Sequence, residues 1–213
     1  MTGRPDEQRK QAPTPAPADL RSRLEEQAIA ESNELNRRVV HCRSCRRSEY
    51  LPTVGSGHPL ADIVMIKYRP RYLEVSEGVS FFGRTGSAVL KSVERLGIDP
   101  LLLYGTNVIK CGGLEGVDGE RECATFLLEE LHILQPKMIV VMGRQVLDVL
   151  NAHRVTGTRE LSWEPGKLQE YSPFCQALVT PDVDTSLDDA DAKAEFWKAF
   201  RVLGDWYRDQ PPY

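Results

Sequence analysis

Long apolar runs are absent from this sequence. No stretch of about 18 apolar residues occurs, so no membrane-spanning helix is predicted. The N-terminus also lacks the apolar core of a secretory signal peptide. Neither sign of charge dominates, because 27 Lys and Arg face 31 Asp and Glu. This balance excludes a polybasic nucleic-acid binder but not a local basic face. The absences together predict a cytoplasmic protein that contacts no membrane.

Cysteine is also scarce, with five residues in the chain. Without a signal peptide they indicate a reducing compartment, where cysteine clusters bind metal more often than they form disulfides. The C-x2-C spacing of Cys42 and Cys45 lets two thiolates reach one metal, and Cys111 and Cys123 could complete the set. Four thiolates suit either zinc or an iron–sulfur cluster, and spacing does not decide between them. Cys175 is interpreted as a small buried residue.

The remaining composition predicts one globular domain. An apolar content of 41% gives a chain of this length a full core. Residues 1–18 combine prolines with charges and predict a disordered tail, which leaves residues 19–213 as a single domain. Asp19 is expected to cap a helix that runs to about Arg38. We expect a monomer.

Strands and helices alternate along that domain. Strands are predicted at 62–66, 101–108, 138–142 and 177–180, and helices at 87–96, 120–134, after Gly143 to Leu150, and 190–208. This order predicts an α/β fold, in which a parallel sheet is covered on both faces and ligands bind at the carboxyl ends of the strands. Asn107 lies at such an end, and its amide could read a flat ligand by donating and accepting at once.

Several motifs in register resemble the iron–sulfur uracil-DNA glycosylases, the family 4 branch of the uracil-DNA glycosylase superfamily. They are E-x3-G-x2-F-F-G-R-T-G from Glu74 and T-N-V-I-K-C from Thr106, together with the cysteines, and the resemblance covers roughly residues 40–205. It implies an α/β/α sandwich with a central four-stranded parallel sheet. It also implies a [4Fe–4S] cluster, with structural zinc as the alternative, and DNA as the partner. The cluster ligands would be Cys42, Cys45, Cys111 and Cys123.

The resemblance also implies roles for pocket residues. Phe81 matches the aromatic residue that stacks on the flipped-out base, Asn107 matches the residue that reads the base edge, and Glu74 matches an acidic residue after the first motif. We therefore expect Phe81 and Asn107 to face one cavity, with Tyr68 and Asp182 on its rim.

The catalytic motifs depart from the family pattern. Residues 67–71 read K-Y-R-P-R where the family has G-E-A-P-G, so Tyr68 replaces a carboxylate, and Asp182 stands where H-P-S has its histidine. The catalytic candidates are Glu74, Asp182 and Tyr68. Tyr68 is protonated at neutral pH and is no base, and an ionised Asp182 would repel the departing base anion.

Charges around the expected pocket are also redistributed. Residues 182–195 carry six acids and one lysine, an acidic loop that would weaken contact with phosphates. The first loop is basic, and its candidate phosphate contacts are Lys67, Arg69, Arg71 and Arg84. Two hypotheses stay open at this stage. The chain recognises a flipped-out uracil or damaged base and hydrolyses its N-glycosidic bond, or it is a degenerate relative that binds a nucleic acid, nucleotide or protein.

Overall fold

The protein is described by a computed structural model that covers residues 17–46, 50–113 and 119–210. Its centre is a six-stranded sheet with the order β1-β3-β2-β4-β6-β5. The strands are β1 Ser56–Gly57, β2 Ile63–Lys67, β3 Leu103–Asn107, β4 Met138–Met142, β5 Leu168–Ser172 and β6 Cys175–Thr180. The strands β3, β2, β4 and β6 are parallel, whereas β1 and β5 pair antiparallel at the two edges. The predicted α/β fold is confirmed, and the edge strands are an addition to it.

Helices cover both faces of this sheet. They are α1 Pro17–Val40, α2 Tyr72–Glu77, α3 Arg84–Arg95, α4 Glu120–Leu134, α5 Arg144–Ala152, α6 Val183–Ser186 and α7 Ala190–Arg208, with a 3-10 turn at Pro100–Leu102. The bounds of α4 and α7 match the sequence prediction. No helix within the described ranges is long and apolar enough to cross a membrane.

The strand residues alternate between two cores, as a period of two requires. Val64 and Ile66 pack with α4 and α5 on one face, whereas Ile63 and Met65 pack with α3 and α7 on the other. We call these the α4 face and the α3 face. The alternation decides which residues at the strand ends can meet in one site.

The N-terminal helix α1 begins earlier than predicted. It starts at Pro17, so Asp19 lies inside it rather than at its cap. Leu20 and Leu24 are each 51% exposed, whereas Leu35 and Val39 are buried against the body of the protein, where α1 packs on α4. Residues 1–16 of the predicted tail lie outside the described residues.

Candidate functional site

The candidate site is built on the last rung of the four parallel strands. Lys67 pairs with Asn107 on one side and with Met142 on the other, and Met142 pairs with Thr180. All four positions lie on the α3 face. Met142 belongs to that core, and Lys67, Asn107 and Thr180 each follow a core residue of the same strand by two or four positions. Ligands of open parallel sheets bind at this carboxyl edge.

Asn107 brings an unsatisfied polar atom to this rung. The side chain is fully buried, and its Nδ2 donates to Ser80 Oγ at 2.9 Å and to Thr53 Oγ1 at 3.4 Å. Its Oδ1 accepts no hydrogen bond from any described residue. A buried acceptor without a donor costs about 1–3 kcal/mol. Such an atom is therefore suited to accept from the N–H group of a ligand.

Phe81 follows Ser80, the hydrogen-bond partner of Asn107, in a strained conformation. Its φ angle of 59° is in the left-handed region, which non-glycine residues seldom adopt. The ring packs flat against the backbone of Gly105, where a Cβ atom would lie only 2.6 Å from a ring carbon. Phe81 and Gly105 border a cavity of about 180 Å³ with Met65 and Leu103. Asn107 is not among the described residues that line it, so the expectation that Phe81 and Asn107 face one cavity is not met. Strain of this kind is concentrated at ligand sites.

Glu74 organises the loop around Phe81. It is fully buried, and its carboxylate accepts from the backbone N–H groups of Phe81 and of Arg71, the latter at 2.7 Å. It also accepts from the ammonium of Lys67. Its oxygens are thus occupied by three donors that fix the start of α2 and the approach to the pocket.

Lys67 places a buried cation in the candidate site. Its Nζ donates to Glu74 and to Asp184 Oδ2, the latter at 2.9 Å, and it lies 5.8 Å from the centroid of the Phe81 ring. The prediction of Lys67 as a phosphate contact does not fit this position. The side chain of the last β2 residue points into the α3 face, where no surface phosphate reaches it.

The segment that follows β6 is tied to the pocket loop by charge. Asp184 accepts from Thr85 Oγ1 at 2.6 Å as well as from Lys67. Asp188 accepts from Arg84 Nη1 at 2.9 Å and from Arg71 Nη2 at 3.4 Å. We call the contacts of Asp184 and Asp188 the α6 latch. The hydrogen bond and charge of Arg84 hold the pKa of Asp188 below its ordinary value.

The α6 latch involves two of the remaining candidate phosphate contacts. Arg71 and Arg84 already engage acids of the predicted acidic loop. Arg69 is half-buried and has an interaction of its own. A phosphate would therefore have to compete with carboxylates for both of the exposed arginines.

Tyr68 does not border the pocket, so the prediction of a rim position is wrong. It follows Lys67 and therefore points to the opposite, α4 face, where its hydroxyl donates to Glu120 Oε2 at 2.6 Å. Asp182 serves as the N-cap of α6, and its Oδ1 accepts from the backbone N–H of Thr185 at 2.8 Å. An ionised carboxylate suits that capping role without a catalytic function.

The four candidate metal ligands come from three parts of the chain. Cys42 and Cys45 follow α1, Cys111 follows β3, and Cys123 lies in the first turn of α4. Cys123 Sγ accepts from the backbone N–H of Lys110 at 3.5 Å. Burial raises the pKa of the Cys123 thiol, Lys110 lowers it, and the charges of Cys45 and Cys42 raise it again.

Cys42 and Cys45 therefore lie close enough to Cys123 for their charges to act on its thiol. Within the described ranges, however, no group of three or more His, Cys, Asp or Glu side chains is arranged to hold a metal ion. The donor chemistry of four thiols fits the expected cofactor, while the coordination geometry is not formed. The fifth cysteine, Cys175, is buried as predicted, and burial raises its pKa to about 12.

A second buried ion pair, this one on the α4 face, was not predicted from the sequence. Lys110 donates to Glu130 and, at 2.7 Å, to Thr106 Oγ1. Tyr104 donates from its hydroxyl to Glu130 Oε1 at 3.2 Å. This network joins β3 to α4. The available signal was Glu130, a carboxylate at a position where the helical pattern expects an inward-facing residue.

A mostly parallel sheet with helices on both faces defines an α/β/α sandwich. The sequence profile of the Uracil DNA glycosylase superfamily matches residues 54–203. The chain belongs to this superfamily.

Similar curated proteins are uracil-DNA glycosylases of one type. The chain is 30% identical over 120 residues to the "Type-4 uracil-DNA glycosylase" of Sulfurisphaera tokodaii, covering 52% of this chain and 54% of that protein. It is 28% identical to the protein of the same name from Archaeoglobus fulgidus, over 53% of this chain and 59% of the relative. The corresponding Thermotoga maritima protein is 26% identical over 62% of this chain and 75% of its own length. The chain thus spans between about half and three quarters of these relatives.

Proposed function

We propose that this protein recognises a uracil-like base flipped out of DNA and hydrolyses its N-glycosidic bond slowly. The superfamily match and the names of the relatives support DNA as the partner and a DNA-repair context. The observation that carries the recognition step is the unpartnered, fully buried Oδ1 of Asn107 beside the strained Phe81.

The recognition step follows from the chemistry of a pyrimidine edge. Uracil carries an N–H group between two carbonyl oxygens, and that N–H can donate to Asn107 Oδ1. The ring of Phe81 offers an aromatic face on which the base can stack, worth about 1–3 kcal/mol per base. A base drawn from the stack is read in this way by side chains on its polar edge.

The slow hydrolysis follows from the groups around Phe81. Cleavage of the glycosidic bond develops negative charge on the base and positive charge on the sugar, so it needs a donor to the base and a carboxylate that positions water. Lys67 is a cation close to the ring and could stabilise the base anion. Glu74 holds three donors and is fully buried, which leaves it no free oxygen directed at a water molecule.

A second function is favoured by the α6 latch. Lys67 fills space at the last rung, and Arg71 and Arg84 are held by acids. These contacts support a catalytically degenerate module that binds a nucleic acid, nucleotide or protein without cleaving a bond. The two functions share the fold and differ in whether any base is released.

Base-release assays separate these functions. Single- and double-stranded oligonucleotides that contain one uracil, hypoxanthine or xanthine are incubated with the protein, and abasic sites are then cleaved by alkali. Slow release that Phe81→Ala abolishes and Phe82→Ala retains supports the slow glycosylase. Phe82 is the matched control because it is the adjacent phenylalanine, is 46% exposed and lies outside the cavity lining. Specific binding without any release supports the degenerate module.

We also propose that Cys42, Cys45, Cys111 and Cys123 hold the [4Fe–4S] cluster that the resemblance implies, with structural zinc as the alternative. A bound cluster would act here as a structural tie, since its ligands come from the end of α1, the segment after β3 and the start of α4. The N–H of Lys110 that donates to Cys123 is the kind of contact that tunes cluster thiolates.

The cofactor proposal predicts a brown protein after anaerobic purification, with stoichiometric iron. Cys42→Ser should remove the colour and destabilise the fold because metal binding and folding are coupled. Cys175→Ala is the control and should keep the iron, since Cys175 lies at the start of β6 and outside the proposed ligand set. A colourless protein with stoichiometric zinc would keep the four-cysteine site and reject the cluster.

A further inference from the structure

A groove with a basic rim runs along α3, beside the candidate pocket. Two adjoining cavities of about 320 Å³ and about 520 Å³ lie where α3 faces the segment from α6 into α7. Both are bordered by Ala88, Ser92, Arg95, Leu187 and Lys193. The shared border makes them one continuous groove, which we call the α3 groove.

The rim of the α3 groove is cationic. Arg84, Lys91 and Arg95 line it from one stripe of α3, at spacings of seven and four residues, and Lys193 faces them from α7. Among the described residues, no carboxylate lines either cavity, and Lys91, Arg95 and Lys193 form no ion pair. Four cations along one groove are notable in a chain whose formal net charge is -4.

The floor of the groove is apolar and partly aromatic. Val89, Leu187, Phe196 and Trp197 line the deeper cavity, and the guanidinium of Arg95 lies 5.4 Å from the centroid of the Trp197 ring. A duplex would present only its phosphates to such a groove and leave the floor unused. A single strand presents phosphates to the rim and unstacked bases to the floor, which is how sequence-tolerant single-strand sites are built.

The groove adjoins the candidate pocket, because Val89 borders both the groove and the cavity beside Phe81. α3 begins at Arg84, three residues after Phe81, and its 12 residues extend about 18 Å from that point. We propose that the α3 groove binds the single-stranded nucleic acid that flanks a base held at Phe81. The inference rests on the proposed function, because it is the bound base that brings a strand to this edge.

The test uses the full chain and a labelled oligodeoxycytidine, whose bases have no N–H between two carbonyl oxygens, so that the base pocket contributes nothing specific. Binding of wild type is compared with Lys91→Gln/Lys193→Gln by fluorescence anisotropy across a range of salt concentrations. The control is Lys198→Gln/Arg201→Gln, which removes the same charge from exposed α7 positions that do not line the groove. A second test variant, Lys91→Glu, reverses one charge on the exposed face of α3.

Each phosphate contact on a single strand contributes about 0.7 to the slope of log affinity against log salt. We therefore expect the groove variant to reduce that slope by about 1.4 and the affinity at 0.1 M salt by roughly 25-fold. The control variant should change neither the salt slope nor the affinity beyond a small long-range effect. Lys91→Glu should weaken binding more per substituted residue than the Gln substitutions do.

Two results would contradict the binding of single-stranded nucleic acid in the α3 groove. One is equal loss in groove and control variants, which would mean that only overall charge matters. The other is displacement of the oligonucleotide by polyglutamate at equal charge concentration, which would assign the groove to acidic protein partners. Asn107→Ala distinguishes this proposal from the proposed function. It should leave oligodeoxycytidine binding unchanged and remove only the extra affinity for a uracil-containing strand.

Discussion

The buried ammonium of Lys67 separates this site from the pattern of its family. The family motif has glycine at this position, and here a charged side chain fills the space between Glu74 and Asp184. Burying a charge is tolerated only when partners and hydrogen bonds compensate for lost hydration. The three groups thus form a unit, and the pocket depends on all of them being present.

Removal of the Lys67 charge should therefore be costly. Lys67→Met keeps the length of the side chain but leaves Glu74 buried without its cation, so we expect a loss of about 3–5 kcal/mol in the free energy of unfolding. Urea denaturation measures it. Lys167→Met is the control, because Lys167 pairs with Glu164 at the surface and should lose at most about 1 kcal/mol. Equal small losses in both variants would show that Lys67 is not in this network.

Gly105 is required by the ring of Phe81. Gly105→Ala would place a methyl group 2.6 Å from that ring, and we expect overpacking to cost about 1–3 kcal/mol and to weaken uracil binding. The double variant Gly105→Ala/Phe81→Ala is the control. With the ring removed the methyl group has room, so the two changes should cost less together than their sum. Strictly additive losses of stability would show that the Phe81 ring does not contact position 105.

At the scale of single residues, the sequence motifs identified candidate site residues better than they predicted what surrounds each side chain. Asn107 and Phe81 could be singled out because motif and register agree. Lys67 was assigned to a surface loop because a lysine after an apolar strand ordinarily reaches solvent. Its burial depends on Asp184, which is 117 residues away in the chain. Pairings over that distance leave no periodic signal.

Among the elements, α6 is the one whose attachment is most readily tested. The four-residue helix is fixed to the pocket loop through Asp184, whereas the Asp188 contacts are at the surface. Asp184→Ala should cost about 1–3 kcal/mol, because it leaves the buried Lys67 and Thr85 short of an acceptor. Asp188→Ala, the matched control, should cost less than about 1 kcal/mol. Hydrogen exchange over residues 183–187 should accelerate in the first variant alone, and equal acceleration in both would contradict the latch.

The predictability of each element follows from its length and pattern. α4 and α7 could be bounded from sequence because each presents an amphipathic stripe over several turns. β1 and β5 could not, since one has two residues and the other is a half-exposed edge strand of mixed polarity. The six-residue α2 could not be predicted, because its capping contacts depend on Glu74 folding back to Arg71.

At the scale of the whole molecule, β3 and the residues after it connect the two proposed sites. Asn107 faces the base pocket on the α3 face, Lys110 binds Glu130 on the α4 face, and Cys111 follows it. Cys123, a proposed cofactor ligand in α4, therefore lies on the far side of the sheet from the proposed base pocket. A cofactor held there would have a structural role and would leave base recognition to the protein's own side chains.

The whole molecule also carries its charges unevenly. The acidic loop holds Arg71 and Arg84, whereas Lys91, Arg95 and Lys193 of the α3 groove pair with no carboxylate among the described residues. A strand would thus be attracted along α3 and would meet competition at the latch. The sequence showed the acidic and basic runs, but only the fold shows which of them neutralise each other.

The most direct test of the account is the affinity for a base in the pocket. Single-stranded oligonucleotides are compared that differ only at one position, which carries either 2′-fluoro-2′-deoxyuridine, whose glycosidic bond resists hydrolysis, or an abasic analogue. We predict that wild type prefers the uracil strand by about 10–100-fold, as one or two buried contacts would give. Asn107→Ala and Phe81→Ala should each lose most of that preference, and Phe82→Ala should retain it. Equal affinity of wild type for both strands would contradict base recognition by this site.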